Sequence, residues 1–396
     1  MLAAPRGTRH VRVCTGSACF ATRAAAHVDA LREGLACELG EVSADGSVSL
    51  AAARCLGMCH SAPAVRDGDV VDAGPGVVER VLAGAPRGAR EPTPRSVLEQ
   101  PVLLGLDDAW SGLARAVATL TPEQLLEEVV AATIRGRGAN SDPAGARWGH
   151  ARADTATGGL LIVADGDERD PGSFGAKVLI EEHPDLLLEG MALAGYAAGA
   201  DRGLVVTCAE YPRSGPTLEW AAAVARRAGL LGRFILGTDF SFDVTVVEGP
   251  YVPGDETSGV VAENVETLCN LPVVVRRGPA HYEQLSPGSP TSGTKLVCFN
   301  ERFARPGVYE VRFGTTLREL CEDLAGGLRD GHAVQALQVG GTIVAASLLD
   351  TPFDYDELAA VGCSLGHGAI VAFDETADME AVAARVRASG RAGWTA

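Results

Sequence analysis

The order of apolar and polar positions divides the chain into three blocks. In the first, residues 9–84, short alternating runs trade places with helical spacing. "HVRVC" (10–14) alternates as a half-buried strand does, and "ATRAAAHVDALREGL" (21–35) repeats apolar positions at Ala25, Val28, Leu31 and Leu35, as one helix would. "PAVRDGDVVDAG" (63–74) reads as a hairpin turning at Asp67-Gly68-Asp69, and "PGVVERVLAG" (75–84) as a closing helix. The Pro-, Gly- and Arg-rich "APRGAREPTPRS" (85–96) then reads as a linker.

The second block opens near residue 101. Its clearest helix is "TPEQLLEEVVAATIRG" (121–136), where Thr121 can cap, Pro122 fits the first helical position and Gln124 completes a capping box. Strand-like runs at 159–164, 203–208 and 243–247 alternate with helical patterns at 184–199 and 216–229. Such alternation predicts a parallel sheet with helices on its faces. The third block, 293–328, reads as strands, a Pro-Gly turn and one helix. Internal repeats and low-complexity tracts are absent from the sequence.

With 396 residues, 46% hydrophobic and 21% charged, the chain suits two or three ordinary α/β domains. The run "LLLEGMALAGYAAGA" (186–200) is broken by Glu189 and several glycines, short of the roughly 20 apolar residues a membrane span needs. No apolar block follows the first basic residues as a secretory signal requires. A cytoplasmic protein without membrane insertion is expected. A net charge of −17 argues against nucleic acid as a partner, because phosphate binding needs basic patches. Ten cysteines in such a chain are expected to be reduced thiols or ligands. Six of them (Cys37, Cys208, Cys269, Cys298, Cys321, Cys363) are scattered among apolar residues and read as core.

The other four form pairs: "CTGSAC" supplies Cys14 and Cys19, "CLGMC" supplies Cys55 and Cys59. Two thiolate pairs separated by a helix can converge on a structural zinc or an iron–sulfur cluster, or they can be unrelated core residues. Zinc knuckles favour C-x2-C, whereas the intervals here are four and three residues and fit a larger inorganic core better. The stretch "VRVCTGSACF…ARCLGMCHSAPAV" resembles the thioredoxin-like [2Fe–2S] subunit of respiratory NADH dehydrogenase and its hydrogenase and formate dehydrogenase relatives, over residues 10–84. The resemblance implies a [2Fe–2S] cluster on Cys14, Cys19, Cys55 and Cys59. His60, directly after a ligand, either tunes that cluster or is simply exposed.

Two further loops carry chemistry. In "IRGRGANSDPAGARWGH" (134–150), Gly136 and Gly138 let backbone N–H groups approach a phosphate that Arg137 or Arg147 could pair with. As a dinucleotide fingerprint it fails, because Ser141 holds the third glycine position. "DGDERDPGS" (165–173) crowds carboxylates at the carboxyl end of a strand, where open α/β sheets bind ligands; its spacing is not that of an EF-hand, and a solvated turn is the plain alternative. Together with "YVPGDETS", "ENVETLCNLP" and "DTPFDYDELAAVGCSLGHGAIVAFDET", these loops resemble the flavin-carrying, NADH-oxidising subunit of the same enzymes, over about residues 101–378.

That resemblance implies a thioredoxin-like domain (1–86), a linker (87–100), a Rossmann-like FMN-binding α/β domain (101–290), a ubiquitin-like β-grasp domain (291–345) and a segment closing the flavin pocket (346–396). Carried over by position, FMN contacts fall on Gly136, Gly138, Arg147, Asp165, Asp167, Glu168, Tyr251, Gly254, Asn264 and Thr267, with Leu365 lining the pocket. Asp170 and Glu256 take the places of two glutamates beside the nicotinamide. The implied partner is a formate dehydrogenase- or hydrogenase-like catalytic redox subunit in a hetero-oligomer.

Three departures bear on NAD(H). Asp142 stands where the family has an adenine-stacking phenylalanine, so stacking is lost and repulsion toward phosphates gained. "GDETSGVVAEN" lacks the family's intervening loop, and no [4Fe–4S] motif of the C-x2-C-x2-C kind follows. The expectation is an electron-transfer subunit with [2Fe–2S] and FMN that binds NADH poorly. The alternative is a degenerate flavin domain serving as a docking scaffold beside a ferredoxin-like [2Fe–2S] relay.

Overall fold

A computed structural model describes residues 7–23, 25–105, 108–138, 141–153, 159–168, 170–250 and 259–391. The first sheet has the order β2-β3-β1-β4-β5. Its strands are β1 (Arg9–Cys14), β2 (Glu41–Val42), β3 (Val48–Ala53), β4 (Ala64–Asp67) and β5 (Val70–Ala73). β1 runs parallel to β3 and antiparallel to β4, and the hairpin of β4 and β5 turns at Gly68, whose φ of 61° suits glycine. Alternation in β1 buries Val11 and Val13 against Val28, Leu31, Val77 and Val81 of the helices covering this sheet.

The single helix expected over 21–35 is two, Ser17–Arg23 and Ala26–Leu35, with Ala25 between them at φ 71°. The first piece must hold Cys19 beside Cys14, while the second must press Val28 and Leu31 onto the sheet. One straight helix cannot meet both demands, and the left-handed residue supplies the bend.

The stretch read as a linker is fastened along its length. Ala89 N–H donates to Val71 O (2.7 Å), His60 Nε2 meets Arg90 O (3.1 Å), and Glu91 pairs with Lys177 (2.5 Å). Its residues Arg95–Ser96 form β6, an edge strand parallel to β12 of the third sheet.

The second sheet is wholly parallel, in the order β10-β7-β8-β9: β7 (Leu161–Gly166), β8 (Arg202–Thr207), β9 (Asp243–Glu248) and β10 (Val260–Asn264). The expected capping box is present on the helix Pro122–Ala131, with Thr121 and Gln124 in reciprocal bonds. The helix Pro184–Ala198 is apolar nearly all round because it is buried nearly all round. Its Glu189 is fully buried and accepts from Trp110 N (2.9 Å), Leu113 N (3.0 Å) and Arg276 (2.5 Å), so the residue that interrupts the apolar run secures the start of the helix Ser111–Thr119.

The third sheet has six strands, β14-β13-β15-β11-β12-β6, with β11 (Thr294–Phe299), β12 (Gly307–Arg312), β13 (Val334–Val339), β14 (Thr342–Ala345) and β15 (Ala369–Asp374). β15, from the segment after residue 345, lies between β13 and β11, and every residue of β11 and β15 is buried. The helix expected in this block is the short π-turn Glu319–Leu324. Arg12 pairs with Glu210 (2.8 Å), Arg66 donates to Ala209 O (2.8 Å) and Glu301 N–H donates to Cys59 O (3.0 Å), joining the first sheet to the other two. Among the described residues no helix is long and apolar enough to cross a membrane.

Candidate functional site

The end of β1, the helix Ser17–Arg23 and the loop beyond β3 bring the four paired cysteines together, each at most 4% exposed. Cys55 Sγ lies 3.4 Å from Cys59 Sγ, and Cys14 contacts both Cys19 and Cys55. Gly57 turns the loop beyond β3 at φ 70° and its N–H points at Cys55 Sγ (3.4 Å). The Gly172 amide, from the acidic loop after β7, reaches Cys59. Every thiol is harder to ionise than a free one: Cys14 through its contact with Cys19, Cys55 through Cys14, Cys59 through Cys55, each with burial added. Cys19 is eased by its contact with Cys14 but still raised by burial. Four thiolates this close in a dry site need a cationic core to neutralise them. Among the described residues no three or more His, Cys, Asp or Glu side chains are grouped as one metal ion would need. The thiols run in a chain, Cys19 to Cys14 to Cys55 to Cys59, under amides aimed at sulfur, and this donor set fits a [2Fe–2S] core.

The glycine loop closes on itself through Gly136 N–H to Asp142 O (3.1 Å) and Ala144 N–H to Ile134 O (2.8 Å), just ahead of the helix Ala144–Ala153. Gly136 O accepts from Tyr355 Oη (2.6 Å). A Cβ at 138 would sit 3.2 Å from both Asn264 Cβ and His367 Nε2, so glycine keeps this floor open at the end of β10. Such a cradle at the carboxyl end of a parallel sheet fits FMN. Arg137, one of two candidates for pairing a phosphate, is turned inward. Its guanidinium is fully buried, donates to Tyr282 Oη (2.9 Å) and Ser292 O (2.8 Å), and lies 4.6 Å from the Phe313 ring centre. Its backbone N–H donates to Thr267 Oγ1 (2.9 Å), so Thr267 holds the loop. Arg147 stays at the rim, paired with Glu263, which also accepts from Trp148 Nε1 (2.9 Å).

Asp165 Oδ1 accepts from Asp167 N–H (3.0 Å), turning the acidic loop. Glu168 is buried and accepts from Ser173 Oγ (2.7 Å), Ala176 N (2.9 Å) and Lys177 N (3.3 Å). Its carboxylate thereby serves the start of the helix Gly175–Glu182. Leu365 is buried in the core of the third sheet. Asp142 is exposed. Tyr251, Gly254 and Glu256 lie outside the described residues.

Asp170 is fully buried, with Oδ1 unpartnered and the His367 N–H 3.3 Å from Oδ2. Burial, with Glu168 nearby, lifts its pKa from 3.8 to about 7 against the pull of Lys295. Because the folded chain holds this proton more tightly than the unfolded one, the stability it contributes is complete below about pH 4 and is lost as pH rises through about 7. Calorimetry of the flavin-free protein should show stability falling across that window. In Asp170→Asn that share of the descent, on the order of 4 kcal/mol, should vanish.

Sequence reasoning missed Lys295, Glu266, Glu263 and Tyr355. Lys295 and Glu266 are buried and paired, and Glu266 Oε1 also accepts from Leu296 N (2.8 Å). The one available signal was a lysine inside the apolar strand "TKLVCF".

Residues 129–261 match the family model of the Nuo51 FMN-binding domain, and residues 2–75 that of the thioredoxin-like [2Fe–2S] ferredoxin. A subunit of the NADH-quinone oxidoreductase of Escherichia coli (strain K12) is 32% identical, with 71% of each chain covered. The HndC subunit of the NADP-reducing hydrogenase of Solidesulfovibrio fructosivorans is 34% identical over 69% of this chain and 62% of its own. In fold, a chain of an NAD+-reducing [NiFe]-hydrogenase in its H2-reduced state superposes with a TM-score of 0.81 at 23% identity, covering 96% of this chain and 72% of that one. These likenesses fall on the cysteine cage and the glycine cradle just described, and the chain belongs to the FMN-binding family of NADH-quinone oxidoreductase subunits, as an electron-transfer oxidoreductase component that joins a thioredoxin-like [2Fe–2S] domain to an FMN-binding one.

Proposed function

We propose that this chain passes electrons between its flavin pocket and its [2Fe–2S] centre on behalf of a catalytic partner, in a cytoplasmic hetero-oligomer whose other subunit is hydrogenase- or formate dehydrogenase-like. The observation that carries this is a shared wall. The acidic loop leaves β7 at the flavin cradle, places Asp170 there, and two residues later offers the Gly172 amide to Cys59. FMN supplies the conversion between two-electron hydride chemistry and single-electron steps. The chain's own part is to hold and screen. Gly136 and Gly138 form the floor, Thr267 fixes the loop, Asn264 lies beside Gly138 and caps the helix Val265–Cys269, Arg147 stands at the rim paired with Glu263, and buried Asp170 holds a proton near neutral pH. Leu365, in the core of the third sheet, and Tyr251 and Gly254 are assigned to the flavin by resemblance alone.

NADH is expected to be a poor reductant of the isolated chain. Asp142 offers an exposed carboxylate where an aromatic platform would hold adenine. A dinucleotide held by its nicotinamide end, between Asp170 and Glu256, forgoes the binding energy of its remote half that positions the hydride. Stopped-flow mixing of the FMN-loaded protein with NADH should show slow bleaching whose rate climbs linearly with NADH. Fast, saturable bleaching at micromolar NADH would overturn the assignment of Asp142 as a loss. Failure of the folded chain to take up FMN would leave only a [2Fe–2S] relay on a docking scaffold.

A further inference from the structure

Tyr211 follows β8 in "TCAEYPRSG" and is 3% exposed, yet its hydroxyl has no hydrogen-bond partner. Its backbone is pinned on both sides, by Tyr211 N–H to Cys208 O (3.0 Å) and Ser214 N–H to Tyr211 O (3.1 Å), with the ring buried. The ring packs against the loop between Cys55 and Cys59. Tyr211 Cε1 lies 2.9 Å from where a Cβ on Gly57 would be, and Gly57 is the residue whose amide points at Cys55 Sγ. A buried hydroxyl left unpaired is costly, and a phenylalanine there would avoid that cost. The groups that bear on it electrostatically are Cys55, Glu168, Cys208 and Cys59, all acceptors. Glu168 is already committed to Ser173, Ala176 and Lys177. Cys208 takes the Glu210 amide, and the acceptor left on that side is the sulfur-rich centre that Cys55 and Cys59 help to hold.

We propose that the Tyr211 hydroxyl donates a hydrogen bond to a sulfur of the [2Fe–2S] centre and raises its reduction potential. The physical basis is charge: one-electron reduction makes the cluster more negative, and a fixed donor stabilises the more negative state more. Tyr211 belongs to the flavin-binding block, so the potential of the N-terminal cluster is set by a residue of the domain that exchanges electrons with it. Tyr211 is a positioning residue in this scheme and takes no proton.

The inference rests on the [2Fe–2S] assignment, and one experiment separates the two. Wild-type protein and Tyr211→Phe are titrated electrochemically under EPR detection, and the coupling of the reduced cluster to exchangeable protons is compared in H2O and D2O. Tyr211→Phe should keep its fold, iron and flavin. Its one-electron equilibrium should shift about tenfold toward the oxidised cluster, about 59 mV lower, with loss of one exchangeable-proton coupling. An unchanged cluster potential with the coupling retained, or a shift confined to the flavin, would sink the proposal and leave the cluster assignment standing. Wild-type protein without a reducible [2Fe–2S] signal would overturn both.

Discussion

Cys55→Ser is expected to emerge from purification with its visible iron–sulfur absorption lost or sharply reshaped, while the wild type carries about two irons and two acid-labile sulfides per chain. Cys55 is the choice because its sulfur touches both pairs, Cys14 on one side and Cys59 on the other, and takes the Gly57 amide. A serine there removes a soft thiolate where the two pairs meet. Cys37→Ser is the control: Cys37 is buried in the separate core of the first sheet, and its loss should leave iron content untouched. Stoichiometric zinc without labile sulfide, in protein produced with iron supplied, would refute the assignment.

Lys295→Met is expected to destabilise the chain by about 3–5 kcal/mol, measured by denaturant unfolding. Lys295 is fully buried on β11, pairs with Glu266, and lowers the pKa of both Glu168 and Asp170, favouring their charged forms. It is a cation paired directly into a dry cluster of carboxylates, so removing it takes away the ion pair of the Glu266 carboxylate and leaves it the Leu296 amide and the more distant pull of Arg137. The double change Lys295→Met with Glu266→Gln should recover much of the loss, since a buried pair replaced as a unit costs far less than one broken. A single variant as stable as the wild type would show that water reaches Glu266.

The cysteine cage was legible because ligand spacing is a covalent property. Cys14, Cys19, Cys55 and Cys59 stand out in one dimension, and one short helix and one tight loop suffice to bring them together. The parallel sheet was legible for a similar reason, since β7, β8 and β9 announce themselves as short apolar runs between helical ones, and Thr121 signals its helix through neighbours three residues away. What escaped depends on direction in space. Nothing in the sequence shows that Glu168, assigned to the flavin by resemblance, also serves the start of a helix, and Arg137, one candidate for pairing a phosphate, lies buried among Tyr282, Ser292 and Phe313. Ala25 gives no local sign of a left-handed turn, because alanine favours helix everywhere except where two packing demands collide. β15 pairs with β11 from far along the chain, and nothing in its own six residues reveals that it will lie inside that sheet.

The fastening of residues 85–96 has a consequence for how current moves. A loose tether would let the N-terminal domain search for its neighbour, and transfer would be a matter of encounters governed by linker length. Here Ala89, Arg90, Glu91 and Arg95–Ser96 are each bonded to a different part of the fold, from β5 through the helix Gly175–Glu182 to β12. The two cofactor sites are therefore held at a separation set when the chain folds, before any substrate arrives.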